Sequence, residues 1–416
     1  MNILFISAYV PSPIRIRSYG FIRTLARRGH RITLVCAADA GDRAALDTLR
    51  DVCANIVTVH ISKAEMAWNA LRALPGAMPL QAALSFAPRL LDAVRTEDHS
   101  GRYDIAHIEH LRAAALGYAL QRTPAVLDAV DSISMLFERA LRGSPSLKSR
   151  SLALLDLART RAYEADYTNH FERVIVTSPE DAWALRLLRA TRAQSGAEAS
   201  TGLDEAHEDP IAIVPNGVDL DYFTPQTVER APATLVFSGK MSYHANEAAA
   251  LFLVRDIMPL VWAVRPETQV IIAGSAPPSS VKALASNRRV TVTGYLDDLR
   301  PAIAGATVAV APLRYGVGIQ NKILEAMALA TPVVAARQAA RALRVEEGCD
   351  LLLAEHPQEY AAAILSLLED PQRAAALGAA GRRYVEQHHA WEVAVERLEH
   401  AYTAALASST TLSSLL

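Results

Sequence analysis

The segment Ala311–Ala335, APLRYGVGIQNKILEAMALATPVVA, gathers the residue types that hold a diphosphate. An apolar run ends at Pro312, a loop with Gly316 and Gly318 follows, and Ile319 or Gln320 opens a helix. Glycines let the backbone come close to a ligand, and the unpaired N–H groups and dipole of the first helical turn favour an anion there. Lys322 adds a point charge near that turn. Glu325 stands four residues after Asn321, on the same helix face, and its carboxylate suits the two hydroxyls of a ribose. The plain alternative is a helix packed on its sheet with Asn321, Lys322 and Glu325 merely solvated.

A second set of chemical residues lies earlier in the chain. His107, Glu109 and His110 close a short apolar run, where strand ends gather catalytic groups. Strand alternation points His107 and Glu109 one way and His110 the other. They are either cleft residues or polar residues at a strand edge. In LDAVDSIS, Asp131 could bind or deprotonate a hydroxyl, while Asp128 reads as structural. Asp219 and Asp221 spell a DxD pair, but within NGVDLDYF, at the entry to a second domain, they are not expected to hold a metal. Arg142, Lys148, Arg150, Arg159 and Arg161, between Arg139 and Arg173, would form a lipid-facing surface if they shared a helix face; Asp156, Glu164 and Asp166 interrupt them and favour an ordinary solvated helix.

The elements that must position these groups alternate short apolar runs with helical patterns, the signature of parallel βαβ units. Strands are expected at Asn2–Ala8, Arg31–Ala37, Ile56–Ile61, Ile105–Ile108, Ala125–Leu127 and Val174–Thr177, with helices at Ser18–Arg28 and Ser151–His170. Residues 193–209 lose all periodicity and read as a surface loop before a linker. A second series follows Ile211–Val214: Leu235–Ser238, Gln269–Ala273, Val290–Thr293, Val308–Ala311 and Pro332–Ala335. Helices near Pro357–Leu368, Gln372–His388 and Trp391–Leu406 close the chain, and SSTTLSSLL reads as a frayed tail.

The 311–335 segment resembles the donor-site signature of family 4 glycosyltransferases, whose architecture is GT-B. Other pieces match in order: IVPNGVD (Ile213–Asp219), FSGKM (Phe237–Met241), IIAGS (Ile271–Ser275) and VTGYLDDL (Val292–Leu299). LARRGHRITLV (Leu25–Val35) and YDIAHIEH (Tyr103–His110) resemble the N-terminal half more loosely. The resemblance implies a donor site of Gly239, Lys240, Asn246, Gly274, Gly294, Tyr295, Gly316, Gly318, Ile319, Gln320, Asn321, Lys322 and Glu325. It implies catalytic groups among Asp131, His107, Glu109 and Lys240. Three departures stand out. Val317 occupies the place of the first of two family glutamates. Ser12–Pro13 stand where paired glycines are expected, with Arg15 and Arg17 following either to meet the donor phosphates or as a solvated basic loop. Asp131 stands where a histidine often faces the acceptor. These departures resemble a subgroup tied to bacterial exopolysaccharide assembly.

Length and composition agree with this frame. The 416 residues suit two domains, half of them are apolar, and the net charge of −2 argues against a nucleic-acid binder. Cys36, Cys53 and Cys349 form no CxxC pair, so no disulfide or zinc framework is expected. No apolar run approaches the ~20 residues of a membrane span, and the N-terminus lacks a basic signal-peptide start. The expectation is an α/β chain with two doubly wound, Rossmann-like domains facing a cleft: 1–205 on the acceptor side, 211–388 binding the nucleotide sugar, and 389–416 a helix returning toward the first domain. Its function would be transfer of a sugar, with retention, from a nucleoside diphosphate sugar to a hydroxyl of a glycan or lipid-linked acceptor. No cofactor or metal is expected, nor any nucleic-acid partner. The expected location is cytoplasmic, with peripheral contact at the inner membrane face through residues 139–173. An epimerase or hydrolase on the same scaffold, or a silent nucleotide-sugar-binding subunit, are the alternatives.

Overall fold

A computed structural model describes residues 1–143, 147–195, 209–226, 230–313 and 319–413. The chain divides into two compact units: 1–138 with 153–217 and 391–416, and 139–152 with 218–390.

In the first unit β1 (Asn2–Ser7), β2 (Arg31–Ala38), β3 (Asn55–His60), β4 (Ile105–Glu109), β5 (Ala125–Val130), β6 (Arg173–Val176) and β7 (Ile211–Ile213) form one parallel sheet ordered β3-β2-β1-β4-β5-β6-β7. The central strands β1 and β4 are almost wholly buried, which is why they read as unbroken apolar runs such as Ile3–Ile6, while the edge strand β3 is partly exposed. The helix Ile16–Arg27 packs Phe21, Ile22 and Leu25 on this sheet and ends before Gly29, whose φ of 87° lets the chain turn back into β2. The helix Trp391–Ser413 places Trp391, Ala394, Val395, Leu398, Tyr402 and Ala405 in the same core, a stripe at helical spacing. Gly20 and Gly217 make room for the Trp391 indole, since a Cβ at either would lie within 2.5 Å of its ring.

In the second unit β8 (Thr234–Ser238), β9 (Gln269–Ala273), β10 (Val290–Gly294), β11 (Val308–Ala311), β12 (Val333–Ala336) and β13 (Leu352–Ala354) form a parallel sheet ordered β10-β9-β8-β11-β12-β13. Counted from its own first strand, each sheet thus begins 3-2-1-4-5-6, the doubly wound order in which ligands bind at the carboxyl ends where the winding reverses. Those switch points fall between β1 and β4 and between β8 and β11.

Three expectations change. Ile211–Ile213, expected to open the second domain, pairs with β6 as the last strand of the first sheet; the boundary at 205 lies outside the described residues. The C-terminal helix runs to Ser413 instead of fraying after Leu406. Finally, the helix Leu147–His170 is not a solvated one with a single basic face. Asp156 is buried and accepts from the Leu80 N–H, and Glu164 is buried and accepts from the N–H groups of Ile133 and Ser134, capping the helix Ile133–Gly143. Arg159 donates to the Leu74 carbonyl, Arg161 pairs with Glu138 at 2.9 Å, and Arg173 is buried in β6. The Lys148 side chain lies outside the described residues.

Candidate functional site

At the second switch point two glycines bring backbone against backbone. Gly239 follows β8 with φ 147° and Gly274 follows β9 with φ 145°. A Cβ on Gly274 would sit 1.8 Å from the Gly239 carbonyl oxygen, so only glycine fits. The Gly239 N–H donates to Ala273 O at 3.0 Å and the Met241 N–H to Ser275 O at 2.9 Å, fastening the loop to the strand ends. Gly239 also leaves space for Lys322: a Cβ there would lie 3.3 Å from the Lys322 Nζ.

Lys322 and Glu325 arrive on the helix Asn321–Ala328, which opens one residue after Gln320. The Lys322 Nζ lies 5.0 Å from the centroid of Phe237 and donates to Asn246 Oδ1, while Asn246 Nδ2 donates to the Lys240 carbonyl at 2.9 Å. The expectations for Asn246 were a hydrogen bond to phosphate or a cap on the next helix. The structure occupies its amide with the loop and the lysine instead, which makes it a positioning residue. Burial pulls the Lys322 pKa down to about 8, against the opposing pull of Glu325. Burial likewise pushes Glu325 up to about 7, with Lys322 opposing. A cation and a carboxyl poised near neutrality, beside a glycine backbone and a helix start, form a site for an anion and a hydroxyl-bearing group. Lys240 is exposed on the loop, and Ile319 is buried just before the helix. Gly294 ends β10 with φ 71° and open space around it, and Tyr295 is 69% exposed. Gly316, Gly318 and Val317 lie outside the described residues.

The first switch point is built from titratable side chains. Ser7 and Glu109 are partners across β1 and β4, and Ser7 Oγ donates to Glu109 Oε2 at 2.9 Å. Glu109 is 2% exposed; burial, then the nearby Asp128, pushes its pKa up to about 7. His110 follows with φ 72° and Val130 ends β5 with φ 67°, both in the left-handed region that costs a non-glycine residue strain and persists only where the surroundings impose it. Asp131, half-buried after Val130, accepts from Thr177 Oγ1 at 2.8 Å, and burial raises its pKa.

Two expected site residues are interior instead. His107 is fully buried, stacked on Phe5 at 4.3 Å between ring centroids and bridged through Nδ1 to the Tyr402 hydroxyl at 2.9 Å. Burial, then Arg17, lowers its pKa to about 3, so it stays neutral and reaches no substrate. Arg17 is 5% exposed. It donates to Asp128 Oδ2 at 2.6 Å, Val214 O at 3.0 Å and Asn216 Oδ1 at 2.9 Å, tying the segment after β7 to β5. It is a buried ion pair and not a phosphate ligand. Arg15 is exposed, with its guanidinium 4.4 Å from the Tyr9 ring centroid. Sequence reasoning missed Tyr9, which lies beside Glu109; its only sequence signal is its place shortly after β1.

The comparisons agree with this geometry. Residues 232–370 match the family model "Glycosyl transferases group 1". A GDP-mannose-dependent monoacylated alpha-(1-6)-phosphatidylinositol monomannoside mannosyltransferase of Corynebacterium glutamicum is 32% identical over 207 residues, which cover 44% of this chain and 54% of that protein. The chain thus spans about half the length of that relative. A D-inositol 3-phosphate glycosyltransferase of Geodermatophilus obscurus is 27% identical over 413 residues, 92% of this chain and 82% of that one. Among solved structures, the sucrose-phosphate synthase of Thermosynechococcus elongatus superposes with TM-score 0.71 at 18% identity, covering 98% of this chain and all of that one. Anabaena HepE in complex with UDP gives 0.66 at 17%, covering 97% and 100%. Fold and domain match together give the class that the structure shows: a two-domain α/β chain of GT-B architecture whose second unit carries a region matching the glycosyl transferases group 1 model. Among its curated relatives, the most extensive match of those named is to the Geodermatophilus enzyme.

Proposed function

We propose that the chain is a retaining, family 4 glycosyltransferase that moves a sugar from a nucleoside diphosphate sugar to a hydroxyl of a glycan or lipid-linked acceptor, in the assembly of an exopolysaccharide or related glycoconjugate. The observation that carries this reading is Lys322, held by Asn246 against Phe237 and beside the touching backbones of Gly239 and Gly274. That arrangement offers a fixed positive charge beside a helix start to a departing diphosphate, the place where charge develops as the anomeric bond breaks. Lys240 adds a second cation from the loop, so the reading requires no metal. Glu325 takes the ribose hydroxyls, and Gly294 and Tyr295 take the base. Backbone N–H groups at 316–319 would replace the sugar contact of the glutamate that Val317 displaces. On the acceptor side, Glu109 and Asp131 receive the hydroxyl; with its pKa near 7, Glu109 is matched to exchange a proton at neutral pH. Among the described residues no helix is long and apolar enough to cross a membrane, so in this reading a lipid-linked acceptor is met at a bilayer surface.

Thermal-shift measurement against UDP, GDP, ADP and their sugar conjugates tests the donor site. One nucleotide is expected to stabilise the chain by mass action, and Lys322→Met to weaken its binding by about 2–3 kcal/mol. Absence of any shift, or nucleotide binding unchanged in the folded variant, would remove Lys322 from the donor site.

A further inference from the structure

The helix Lys63–Ala73 reverses the pattern usual for a helix packed on a sheet. Ala64, Ala67, Trp68 and Leu71 stand at the i, i+3, i+4, i+7 spacing that marks one face, and this apolar face is the exposed one. Trp68 is 58% exposed and Leu71 56%, and no residue of the helix is buried. The fold holds the helix from its other side and its ends. Asn69 Nδ2 donates to Phe86 O at 2.7 Å, the Ser62 hydroxyl accepts from the Glu65 N–H at 3.1 Å, and Arg159 donates to the Leu74 carbonyl. These contacts fix the apolar face outward. Beyond the helix the exposed apolar run continues through Leu74, Pro75 and Ala77.

Helical spacing puts Lys63 at one margin of this face and Arg72 at the other. Both are exposed, and neither pairs with a carboxylate among the described residues. Glu65, the one acid of the helix, is taken by Arg89 at 2.9 Å. An outward apolar stripe with a tryptophan, bordered on both sides by uncompensated cations, has the make-up of a helix that lies in the boundary layer of an anionic bilayer. The indole sits at headgroup level, Leu71 reaches the acyl boundary, and the two cations meet lipid phosphates. We infer that the chain docks on an anionic lipid surface through the apolar face of the helix Lys63–Ala73. This goes beyond the transfer reading and does not depend on it. It also moves the membrane contact expected at 139–173 to another helix, since Arg159 and Arg161 of that stretch are spent on Leu74 and Glu138.

Flotation of the full chain with lipid vesicles, in the absence of nucleotide and acceptor, tests the docking face whether or not the transfer reading holds. The probes are vesicles of phosphatidylcholine alone and of three parts phosphatidylcholine to one part phosphatidylglycerol. Binding is expected to the anionic vesicles and should weaken as salt is added. Leu71→Glu should lower it about tenfold or more, and Lys63→Gln and Arg72→Gln about fivefold each, on anionic vesicles alone. All three side chains are exposed, so the variants should melt with the wild-type chain. Of the four tryptophans, Trp262 and Trp391 are buried, which leaves Trp68 and Trp183 to report on lipid. Quenching by brominated phosphatidylcholine should vanish in Trp68→Phe and persist in Trp183→Phe. Overturning results are no flotation of the wild-type chain, equal flotation with both vesicles, flotation unchanged in Leu71→Glu, or quenching that follows Trp183. A wild-type chain that ignores vesicles but self-associates, and turns monomeric in Leu71→Glu, would give the face to a second copy instead.

Discussion

The two sheets share one strand order and differ in what stands at the point of reversal. At the end of β8 the working parts are backbone and one lysine: Gly239, Gly274, the start of the helix at Asn321, and Lys322. Beyond β1 and β4 they are side chains: Ser7, Tyr9, Glu109 and Arg112. In the proposed reading, the lysine and the helix start recognise what is common to all donors of a class, a diphosphate, and the glycine backbones beside them tolerate no Cβ where they touch. Side chains can be exchanged one at a time without moving the sheet, which suits the partner that varies among transferases, the acceptor. In that reading, one fold separates a constant recognition task from a variable one.

The largest expected effect breaks the backbone half of this contrast. Gly274→Ala places a methyl 1.8 Å from a carbonyl oxygen at φ 145°. Overpacking and strain together should cost about 3–5 kcal/mol and abolish nucleotide binding, read by denaturant unfolding and thermal shift. A folded, nucleotide-binding Gly274→Ala chain would mean that the two backbones are not held together. On the side-chain half, Tyr402→Phe removes the hydroxyl that bridges to His107. It should cost about 1–3 kcal/mol of stability, since a buried ring nitrogen loses its partner, while turnover per folded molecule stays at the wild-type value. A collapse of turnover without loss of stability would return His107 to the chemistry.

Strands were legible because burial leaves apolar runs: apart from the end of β5, which runs three residues further, and β13, which was not expected, every expected strand boundary lies within one residue of the observed one. Gly239, Lys322 and Glu325 were legible because a glycine loop feeding a helix is a local pattern, and the structure does bring Lys322 to Gly239. Residues with distant partners were not. His107 has the same strand parity as Glu109, yet what covers it is Tyr402, 295 positions away. Arg17 looked like a free guanidinium in a polar loop because Asp128, its partner, lies 111 positions on. The three residues of β7 carry no signal of which sheet they join. Tyr9 is an ordinary residue in sequence, and only the pairing of β1 with β4 makes it a neighbour of Glu109.

A pH profile sharpens the comparison with a smaller effect. In the proposed reading donor binding needs Lys322 protonated, and its pKa near 8 means the charged fraction falls as pH rises above 8. It also needs Glu325 ionised to accept ribose hydroxyls, and its pKa near 7 means that fraction falls as pH drops below 7. Nucleotide affinity should therefore peak between about 7 and 8 and decline by up to about tenfold per unit on either flank. The alkaline flank should vanish in Lys322→Met and the acid flank in Glu325→Gln. Flanks that survive in those variants would assign the titration to other groups.

Gly294→Ala should have the least effect, and it separates conformational need from close approach. Gly294 shares positive φ with Gly274, but nothing lies within 4 Å of where its Cβ would stand. The cost to the free chain should then be the backbone term alone, about 1 kcal/mol, measured by denaturant unfolding. If the base of the donor packs against this residue, the added methyl meets it only in the complex. The signature is a nucleotide affinity that falls by more than the stability does. Equal small losses would move the base away from Gly294, and a stability loss matching that of Gly274→Ala would show that the end of β10 is as tightly packed as the end of β9.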